Sequence, residues 1–426
     1  MNFRNFIKTL EPIYIEENFD LKFEIAAILK KFDGKPIYFS KYNLIGNIYS
    51  NPDLLSQSIG LKDFSEWIPF FLKARYNFGK LVKHDNFPKM KKISLKDLPI
   101  LTHYEKDAGK YITSDAIIAT KNGRTNVSTH RILILNEKEL TLRIVRRHLY
   151  EMVQDAINHG EDLPITMCIG VPSSVQIAAA TSLDPLENEL ELAAALEGGE
   201  LKVKDGLPES EIIIKGKILH DKVVEEGPFV DITSKYDIIR KEPVFKIDEV
   251  LAREDYIYHA LLPGANDHQL LMGMPRVPII YDEIKKQNVD VKKVYLNPDG
   301  FGWLKTIISI KKKENQDIKK VLDGTLKAHY STKVIIVVDE DVNVTNDSEI
   351  QNALCLNTKF DENNPIVLKN IKGSSLDPRA EGDMGSKILI DATKPINYRR
   401  ESFEQGKIPF DEKKLEKIKL RRKKIA

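Results

Sequence analysis

The chain has 426 residues, of which 42% are hydrophobic and 30% charged, and its formal net charge is +2. This length favours two or three domains with a large core, so folding needs neither a disulfide nor a structural metal. The nearly balanced charge gives no overall field that favours nucleic acid, and the longest apolar runs are strand-sized, which excludes a transmembrane helix.

Cysteine usage and the N-terminus both favour a cytoplasmic protein. Cys168 and Cys355 lie far apart, and neither belongs to a CxxC motif. A zinc or redox motif is therefore unsupported, and both cysteines are expected to be small buried residues. The first residues lack a basic segment followed by an apolar one, so we expect no signal peptide.

Residues 1–105 are predicted to form an N-terminal α/β domain. Residues 23–31 show helical spacing, and residues 35–39 are typical of a short strand after the turn at Asp33-Gly34. Aromatic residues recur at helical spacing between 67 and 76, where we expect them in the core rather than around a cofactor.

Residues 106–285 are predicted to form a barrel-like domain with covering helices. Segments rich in isoleucine, valine and threonine predict strands at 111–120, 131–135, 165–170, 211–218 and 245–250. Two helices are expected among them. One spans 139–158 with an apolar stripe, and the other spans 185–196 and ends at Gly198-Gly199.

Residues 286–400 are predicted to form a C-terminal α/β domain. A strand over 291–296, a helix over 315–329 and an apolar strand over 333–338 indicate a buried parallel sheet. The acids at 339–341 follow the last of these strands. Their position suits functional groups of an α/β sheet and solvated loop residues equally well.

Residues 401–426 form a basic tail in which lysine and arginine cluster between 413 and 424. This charge pattern predicts a solvated terminal helix. Contact of the tail with nucleic acid or a membrane is the alternative, but no aromatic residues are interleaved with the charges to support it.

Two acids beside a turn are the first candidates for chemistry. In an extended strand, Glu226 and Asp231 would lie ~17 Å apart on opposite faces. Gly227-Pro228 between them is a turn signal, so the chain is expected to fold back and bring both carboxylates to one cavity. Arg131 would then supply the fixed positive charge that orients an anionic substrate. Taken alone, the same segment is also typical of an acidic surface turn.

Three further residues offer ligands for a divalent cation. Asn126, His148 and Glu189 supply an amide oxygen, an imidazole and a carboxylate, a set without thiolate that suits Mn²⁺ or Mg²⁺ better than zinc. Three protein ligands leave coordination positions open for a phosphate. Spacing alone leaves the alternative that His148, inside a predicted helix, is a packed or solvated side chain.

The order of these motifs resembles the UbiD family of prenylated-flavin decarboxylases. The motifs are Asn126-x4-Arg131, Arg146-Arg147-His148 in a helix, Glu189 before a small-residue helix, and Glu226-Gly-Pro-Phe-x-Asp231, with further similar stretches at 253–259, 337–343 and 386–393. The similarity covers residues 105 to 395 and, more weakly, the N-terminal segment.

This resemblance implies a mixed α/β fold with an N-terminal α/β domain, a central split-barrel flavin-binding domain and a C-terminal α/β domain. It implies a carboxy-lyase that removes CO₂ from an α,β-unsaturated or aromatic acid. The implied cofactor is prenylated FMN, with a flavin prenyltransferase as its supplier, and the implied assembly is a homo-oligomer, either a dimer or a hexamer.

The resemblance also implies roles for individual residues. Arg131, Glu226 and Asp231 would form the catalytic trio, in which Glu226 protonates the carbon that loses CO₂ and Asp231 tunes the other two. Asn126, His148 and Glu189 would bind Mn²⁺ or Mg²⁺, beside a K⁺ ion, and this metal would clamp the flavin phosphate. The cofactor-binding set would comprise Asn126, Ser128, Thr129, His130, Arg131, Arg147, His148, Glu189 and Lys387.

Two features depart from the expected pattern. Val230 stands where many family members have glycine, and residues 232–237 lack the glycine common after the motif. This form resembles the compact archaeal members, which implies trans-anhydromevalonate 5-phosphate as substrate in isoprenoid synthesis, with a hydroxybenzoate-type acid as the alternative. In addition, Asn126 and Arg131 would face opposite ways on a regular strand, so either Asn126 precedes the strand or a bulge intervenes.

Two functions from other classes stay open. The central domain could belong to a redox protein that uses ordinary FMN, or the chain could be a scaffold whose basic tail binds an anionic partner. The trio of Arg131, Glu226 and Asp231 favours the decarboxylase, because neither alternative needs it.

Overall fold

The structure is a computed structural model that describes residues 1–382, 384–397, 399–404, 406 and 408–409. The basic cluster predicted between 413 and 424 lies outside these residues. Within the described ranges, none of the helices is both long and apolar enough to cross a membrane.

Helices and strands alternate along the described chain. The helices are α1 Phe3–Ile7, α2 Glu24–Lys31, α3 Pro52–Gln57, α4 Trp67–Tyr76, α5 His148–Asn158, α6 Ser173–Ala179, α7 Glu189–Leu196, α8 Asn266–Gly273, α9 Arg276–Lys285, α10 Gln316–Ala328, α11 Asp347–Leu356 and α12 Arg400–Phe403, with short 3₁₀ turns at Phe64–Glu66, Leu95–Asp97 and Pro298–Gly300. The strands are β1 Ile13–Ile15, β2 Ile37–Phe39, β3 Leu44–Gly46, β4 Lys80–Lys83, β5 Met90–Ile93, β6 Tyr111–Ile112, β7 Ala116–Lys121, β8 Arg124–Ser128, β9 Ile132–Ile134, β10 Glu139–Leu142, β11 Leu163–Ile169, β12 Glu200–Lys204, β13 Leu207–Pro208, β14 Ile212–Glu226, β15 Phe229–Val230, β16 Tyr236–Asp237, β17 Arg240–Arg253, β18 Tyr258–Ala260, β19 Val291–Leu296, β20 Lys305–Ile310, β21 Val334–Asp339, β22 Ile366–Lys372 and β23 Met384–Ala392.

A nine-stranded sheet in the order β6-β9-β10-β17-β14-β11-β7-β8, with β5 beside β17, forms the centre of the molecule. Within the described residues no strand pairing joins β6 to β8, so the sheet is open. The long antiparallel strands β14 and β17 form its middle, and β14 alternates buried with more exposed residues along its first half. This alternation places one face of the sheet in the core.

The connection between β8 and β9 positions the first motif. These strands lie near opposite ends of the strand order, yet only the crossing over residues 129–131 joins them, so Ser128 and Ile132 lie at most ~14 Å apart. The sheet therefore curls until these two ends approach each other. The Asp115 carboxylate fixes the crossing, because it accepts hydrogen bonds from the Thr129 hydroxyl and the His130 amide, both at 3.1 Å. Asn126 lies inside β8 and Arg131 outside any strand, so the two need not alternate on one strand.

The C-terminal sheet has the order β19-β20-β21-β23-β22, in which β20, β21 and β23 run parallel. Apolar residues of α9 and α10 pack on one face, and those of α11 pack on the other. This confirms the predicted buried parallel sheet. The acids after β21 form ion pairs with lysines, as in Lys394–Asp341 at 2.6 Å and Lys292–Glu340 at 3.7 Å, and they do not line the cavity described below.

The mixed α/β architecture is confirmed, whereas the exact domain boundaries stay predictions. A smaller sheet in the order β1-β2-β3-β18 ties the N-terminal segment to the end of the central one. The predicted core positions Trp67 and Phe71 are fully buried, although Tyr76 is 60% exposed.

Two local predictions are wrong, and one helix was not predicted. Residues 139–142 form β10 instead of the start of a helix, because Leu140 and Thr141 pair with both β9 and β17, and α5 begins only at His148. The all-buried helix α6 was missed, since it lacks the polar face that makes helical periodicity visible. Cys355 is exposed on α11, whereas Cys168 is buried as expected.

Gly216 permits the closest approach of the two long strands. A Cβ atom there would lie 2.1 Å from the Lys246 carbonyl oxygen, at a register irregularity between β14 and β17. We therefore expect Gly216→Ala to lower the free energy of unfolding by about 1–3 kcal/mol, because the backbones must separate. Gly385→Ala is the control, since the nearest atom to its Cβ would lie at 3.8 Å. Denaturant unfolding measures both variants, and equal stability would contradict the packing argument.

Candidate active site

A cavity of about 520 Å³ lies between the central sheet and the C-terminal sheet. Its walls come from β8 and the crossing after it, the N-termini of α5 and α7, the row α8–α9, and residues 328–331 and 374–376. A second cavity of about 130 Å³ adjoins it, and the residues that line both include Thr129, His130, Asp231, His268 and Met272. The larger volume is typical of small-molecule sites.

Arg131 and Glu226 form a buried, two-pronged ion pair beside the smaller cavity. Arg131 Nε donates to Glu226 Oε1 at 3.0 Å, and Nη2 donates to Oε2 at 2.8 Å. The Tyr111 hydroxyl donates to the same Oε1 at 3.1 Å. Glu226 is the last residue of β14, and Gly227 follows with a φ of 93°, a conformation that glycine adopts without strain. The predicted fold-back of the chain is therefore present.

Two further acids surround the same guanidinium. Asp231 Oδ2 lies 3.3 Å from Arg131 Nη1, and Asp237 Oδ2 lies 3.0 Å from it. Although burial raises the pKa of Asp237, Arg240 and Arg131 hold that pKa below its ordinary value. The structure thus brings the predicted trio together and adds Asp237, which the sequence analysis missed.

The two predicted catalytic acids differ in their access to the cavities. Asp231 lines both cavities, and 27% of its side chain is exposed. The Glu226 side chain has no exposed surface and lies behind Arg131, which itself lines the smaller cavity. A ligand in this space therefore meets Arg131 and Asp231 first, and it reaches Glu226 only when the ion pair with Arg131 loosens.

The three candidate metal ligands line one region of the larger cavity. Asn126 lies in β8, and His148 and Glu189 are the first residues of α5 and α7. Glu189 Oε2 accepts a hydrogen bond from the Val127 amide at 2.9 Å, and burial raises the pKa of this carboxyl to about 7. Burial, followed by the charge of Arg124, lowers the pKa of His148, which favours the neutral imidazole that binds metals.

These residues fit a divalent cation, because a buried carboxylate, a neutral imidazole and an amide oxygen face one space. The described residues contain no group of three or more histidine, cysteine, aspartate or glutamate side chains that could hold a metal. The proposed set comprises one histidine, one glutamate and the amide of Asn126.

The predicted cofactor-binding residues divide into three groups. Those on the larger cavity are Asn126, Ser128, Thr129, His130, Arg147, His148 and Glu189, whereas Arg131 lines the smaller cavity and Lys387 lines neither. The Ser128 hydroxyl and His130 Nε2 lie 2.9 Å apart, and His130 Nδ1 lies 2.9 Å from the Arg143 carbonyl oxygen. This chain of contacts fixes the wall between the two cavities.

Lys387 lies behind the cavity wall. Its ammonium group donates to the carbonyl oxygens of Tyr330 and, at 2.8 Å, Thr332, and burial lowers its pKa to about 8. Tyr330 and Ser331 themselves line the larger cavity. Lys387 therefore shapes the wall in this arrangement, and its direct contact with a cofactor stays a prediction.

Several cavity residues carry no signal in the sequence. Arg240, His268, Arg276 and Trp303 line the larger cavity, yet they come from three separate stretches of the chain without a recognisable motif, since only His268 and Arg276 belong to one stretch. Only the packing of the C-terminal sheet against the central sheet brings them together. Of the four, Arg276 brings a guanidinium that forms no ion pair among the described residues, which suits an anionic ligand.

Sequence profiles of two domains of one carboxy-lyase family match this chain. The 3-octaprenyl-4-hydroxybenzoate carboxy-lyase Rift-related domain, UbiD, matches residues 79–266, and the C-terminal domain of the same carboxy-lyase matches residues 269–392.

Relatives and solved structures agree with these profiles. The anhydromevalonate phosphate decarboxylase of Methanocaldococcus jannaschii is 38% identical over 95% of this chain and 99% of its own length. That of Methanosarcina mazei is 35% identical over 96% of this chain and 100% of its own. The UbiD-class enzyme HmfF from Pelotomaculum thermopropionicum, in complex with FMN, superposes with a TM-score of 0.90 at 28% identity over 98% of both chains. An evolved dimeric form of HmfF in complex with prFMN has a TM-score of 0.87 at 27% identity, over 98% of this chain and 99% of its own.

Proposed function

This chain belongs to the UbiD family, and we propose that it decarboxylates trans-anhydromevalonate 5-phosphate to isopentenyl phosphate with prenylated FMN. Membership makes it a carboxy-lyase that acts on a small-molecule acid. The substrate follows from relatives named anhydromevalonate phosphate decarboxylase that match nearly the full chain. The cofactor follows from HmfF, which superposes closely and was solved with FMN and with prFMN.

The proposal depends above all on the ion-pair cluster of Arg131 with Glu226 and Asp231 at the cavity wall. When bound, prenylated FMN supplies the conjugated ring system that accepts the electron pair released as CO₂ departs. Arg131 binds the substrate carboxylate, because a guanidinium recognises a carboxylate through two parallel hydrogen bonds. A substrate carboxylate that takes over Arg131 leaves Glu226 buried without its guanidinium partner. Glu226 then takes up a proton from solvent and delivers it to the carbon that loses CO₂. Asp231 keeps the guanidinium oriented during this exchange.

The finer cofactor assignment rests on the ligand set of Asn126, His148 and Glu189. Mn²⁺ or Mg²⁺ at these residues, with K⁺ nearby, would neutralise the flavin phosphate, and Ser128, Thr129, His130, Arg147 and Lys387 would complete the cofactor site. A flavin prenyltransferase would supply the prenylated flavin. A dimer or hexamer is proposed for the assembly, since an evolved form of HmfF is dimeric. The cytoplasm is proposed because the chain carries free cysteines.

A direct assay tests this function. The protein, co-expressed with a flavin prenyltransferase, is incubated with trans-anhydromevalonate 5-phosphate or with a hydroxybenzoate, and CO₂ and isopentenyl phosphate are measured. We expect turnover of the phosphorylated acid, with the mass of prenylated FMN in the released cofactor. Turnover of the hydroxybenzoate alone would replace the proposed substrate with the aromatic alternative. Oxidation of a reductant without CO₂ release would favour a redox flavoprotein.

A further inference from the structure

The arginines of the two cavities divide into those with and those without a carboxylate partner. Arg131, Arg143 and Arg240 each form an ion pair with an acid, at 2.8 Å to Glu226, 2.8 Å to Glu242 and 2.5 Å to Asp237. Among the residues that the structure describes, Arg147 and Arg276 form no ion pair, and both line the larger cavity. Each donates instead to the hydroxyl of Ser182. Two cations therefore converge on one neutral group.

Arg276 is held firmly although its charge is not neutralised. Its guanidinium lies over the ring of Trp303, with the central carbon 4.4 Å from the ring centroid. Its Nε is buried without a hydrogen-bond partner, and its Nη2 reaches the Ser182 hydroxyl only at 3.4 Å. Burial, followed by repulsion from Arg147, lowers its pKa to about 9. A buried donor without a partner is costly, and a bound anion removes that cost.

Arg276 belongs to a row of side chains that leads to the reacting groups. His268, Met272 and Arg276 follow each other at four-residue intervals, and Met274 and Pro275 keep right-handed helical angles between α8 and α9. The three side chains therefore lie on one face, over ~12 Å of helix axis. His268 and Met272 also line the smaller cavity with Arg131. The row thus connects Arg131 with the unpaired guanidinium of Arg276.

We propose that Arg276 binds the phosphate monoester of the substrate while Arg131 binds the carboxylate of the same molecule. This inference rests on the proposed function, because it requires a substrate with an anion at each end. A guanidinium fixed against an aromatic ring presents its donor fork in one orientation, which matches two phosphate oxygens. Arg276 then selects for the phosphorylated acid over an acid that lacks the phosphate.

The proposed flavin cofactor also carries a phosphate monoester, which an arginine of this cavity could bind in the same way as the phosphate of the substrate. Arg147 directly precedes His148, one of the proposed metal ligands, so we assign Arg147 to the flavin phosphate. Arg276 lies on the α8–α9 row with residues that line the smaller cavity, so we assign it to the substrate. The two assignments predict different losses. Substitution of Arg147 should release flavin, whereas substitution of Arg276 should reduce the preference for the phosphorylated acid.

The test compares Arg276→Gln and Arg276→Lys with wild-type holoenzyme at equal flavin occupancy. Lys285→Ala is the matched control, because it removes one positive charge from the exposed end of the same helix. We expect kcat/KM for trans-anhydromevalonate 5-phosphate to fall about 10- to 100-fold in Arg276→Gln, the usual effect of losing a charged hydrogen-bond pair. With the same acid lacking the phosphate, kcat/KM of Arg276→Gln should differ from that of wild type by less than about 3-fold, because this acid has no group for Arg276 to bind. Arg276→Lys should retain an intermediate share of the preference.

Loss of flavin from Arg276→Gln, with unchanged preference for the phosphorylated acid, would assign the residue to the cofactor and overturn the proposal. Equal losses with both acids would overturn it as well. Failure of the proposed function is recognised separately, as absence of turnover of either acid by wild type. In that case, calorimetric titration of wild type and of Arg276→Gln with isopentenyl phosphate tests whether Arg276 binds a phosphate monoester. Binding weakened about 10-fold or more in Arg276→Gln supports the site, and equal binding in both proteins rejects it.

Discussion

Replacement of His148 with alanine is expected to remove most of the divalent cation and flavin from the purified protein while the fold persists. His148 begins α5 at the surface of the larger cavity, so its loss creates no void in the core. Removing one of the three proposed protein ligands would weaken metal binding by ~10- to 100-fold or more, and the flavin phosphate would then lose its proposed neutralising partner. Visible absorbance measures the flavin, and elemental analysis measures the metal.

Glu189 requires a more conservative substitution. Its Oε2 accepts the hydrogen bond of the buried Val127 amide, so Glu189→Ala would leave that amide without a partner at a cost of about 1–3 kcal/mol. Glu189→Gln retains an acceptor oxygen but removes the negative charge, and it is therefore expected to lose metal without losing stability. His159→Ala is the control, because His159 caps the far end of α5 and is largely exposed. Full retention of metal and flavin in His148→Ala and Glu189→Gln would refute the metal assignment.

The sequence predicted the components of the site better than their arrangement. The apolar strand before Asp339 was predicted as part of a parallel sheet, because a fully buried strand shows its environment in its own composition. Glu226 and Asp231 were expected to meet through the turn at Gly227-Pro228, and they do share Arg131. In both cases a short stretch of sequence was sufficient for the prediction, since the residues of the strand, and the two acids with the turn between them, are close in sequence.

Contacts between distant segments were not predictable in this way. Arg276 and Trp303 reach the larger cavity through the packing of the C-terminal segment against the central sheet, which no short pattern records. Asp237 reaches Arg131 through the short hairpin of β15 and β16, which pairs it with Phe229. In the segment 139–142, contacts with distant parts of the chain likewise determine the structure. Its apolar residues fit the stripe of a helix, but pairing with two neighbouring strands outweighs that local preference.

Replacement of Glu226 with glutamine is expected to lower turnover by ~10²-fold or more, the usual contribution of a positioned acid. The amide keeps the shape of the side chain and an acceptor oxygen for Arg131 and Tyr111, but it has no carboxyl proton to deliver. Substrate binding should survive, because Arg131 keeps Asp231 and Asp237 as partners. The acid should therefore still perturb the visible spectrum of the flavin. The rate at which solvent deuterium enters the product should fall in parallel with turnover.

Two further variants separate proton delivery from its alternatives. Asp231→Asn is expected to act more mildly than Glu226→Gln, since Asp231 orients the guanidinium but is not the proposed proton donor. Glu225→Gln is the control, because it changes the exposed acid that directly precedes Glu226 in β14. If Asp231, which lines both cavities, were the donor instead, Asp231→Asn would show the larger loss. A surface turn without a catalytic role predicts near-normal turnover in all three variants. Steady-state assays at verified equal flavin occupancy distinguish these outcomes, and wild-type activity in Glu226→Gln would remove the basis for its assignment.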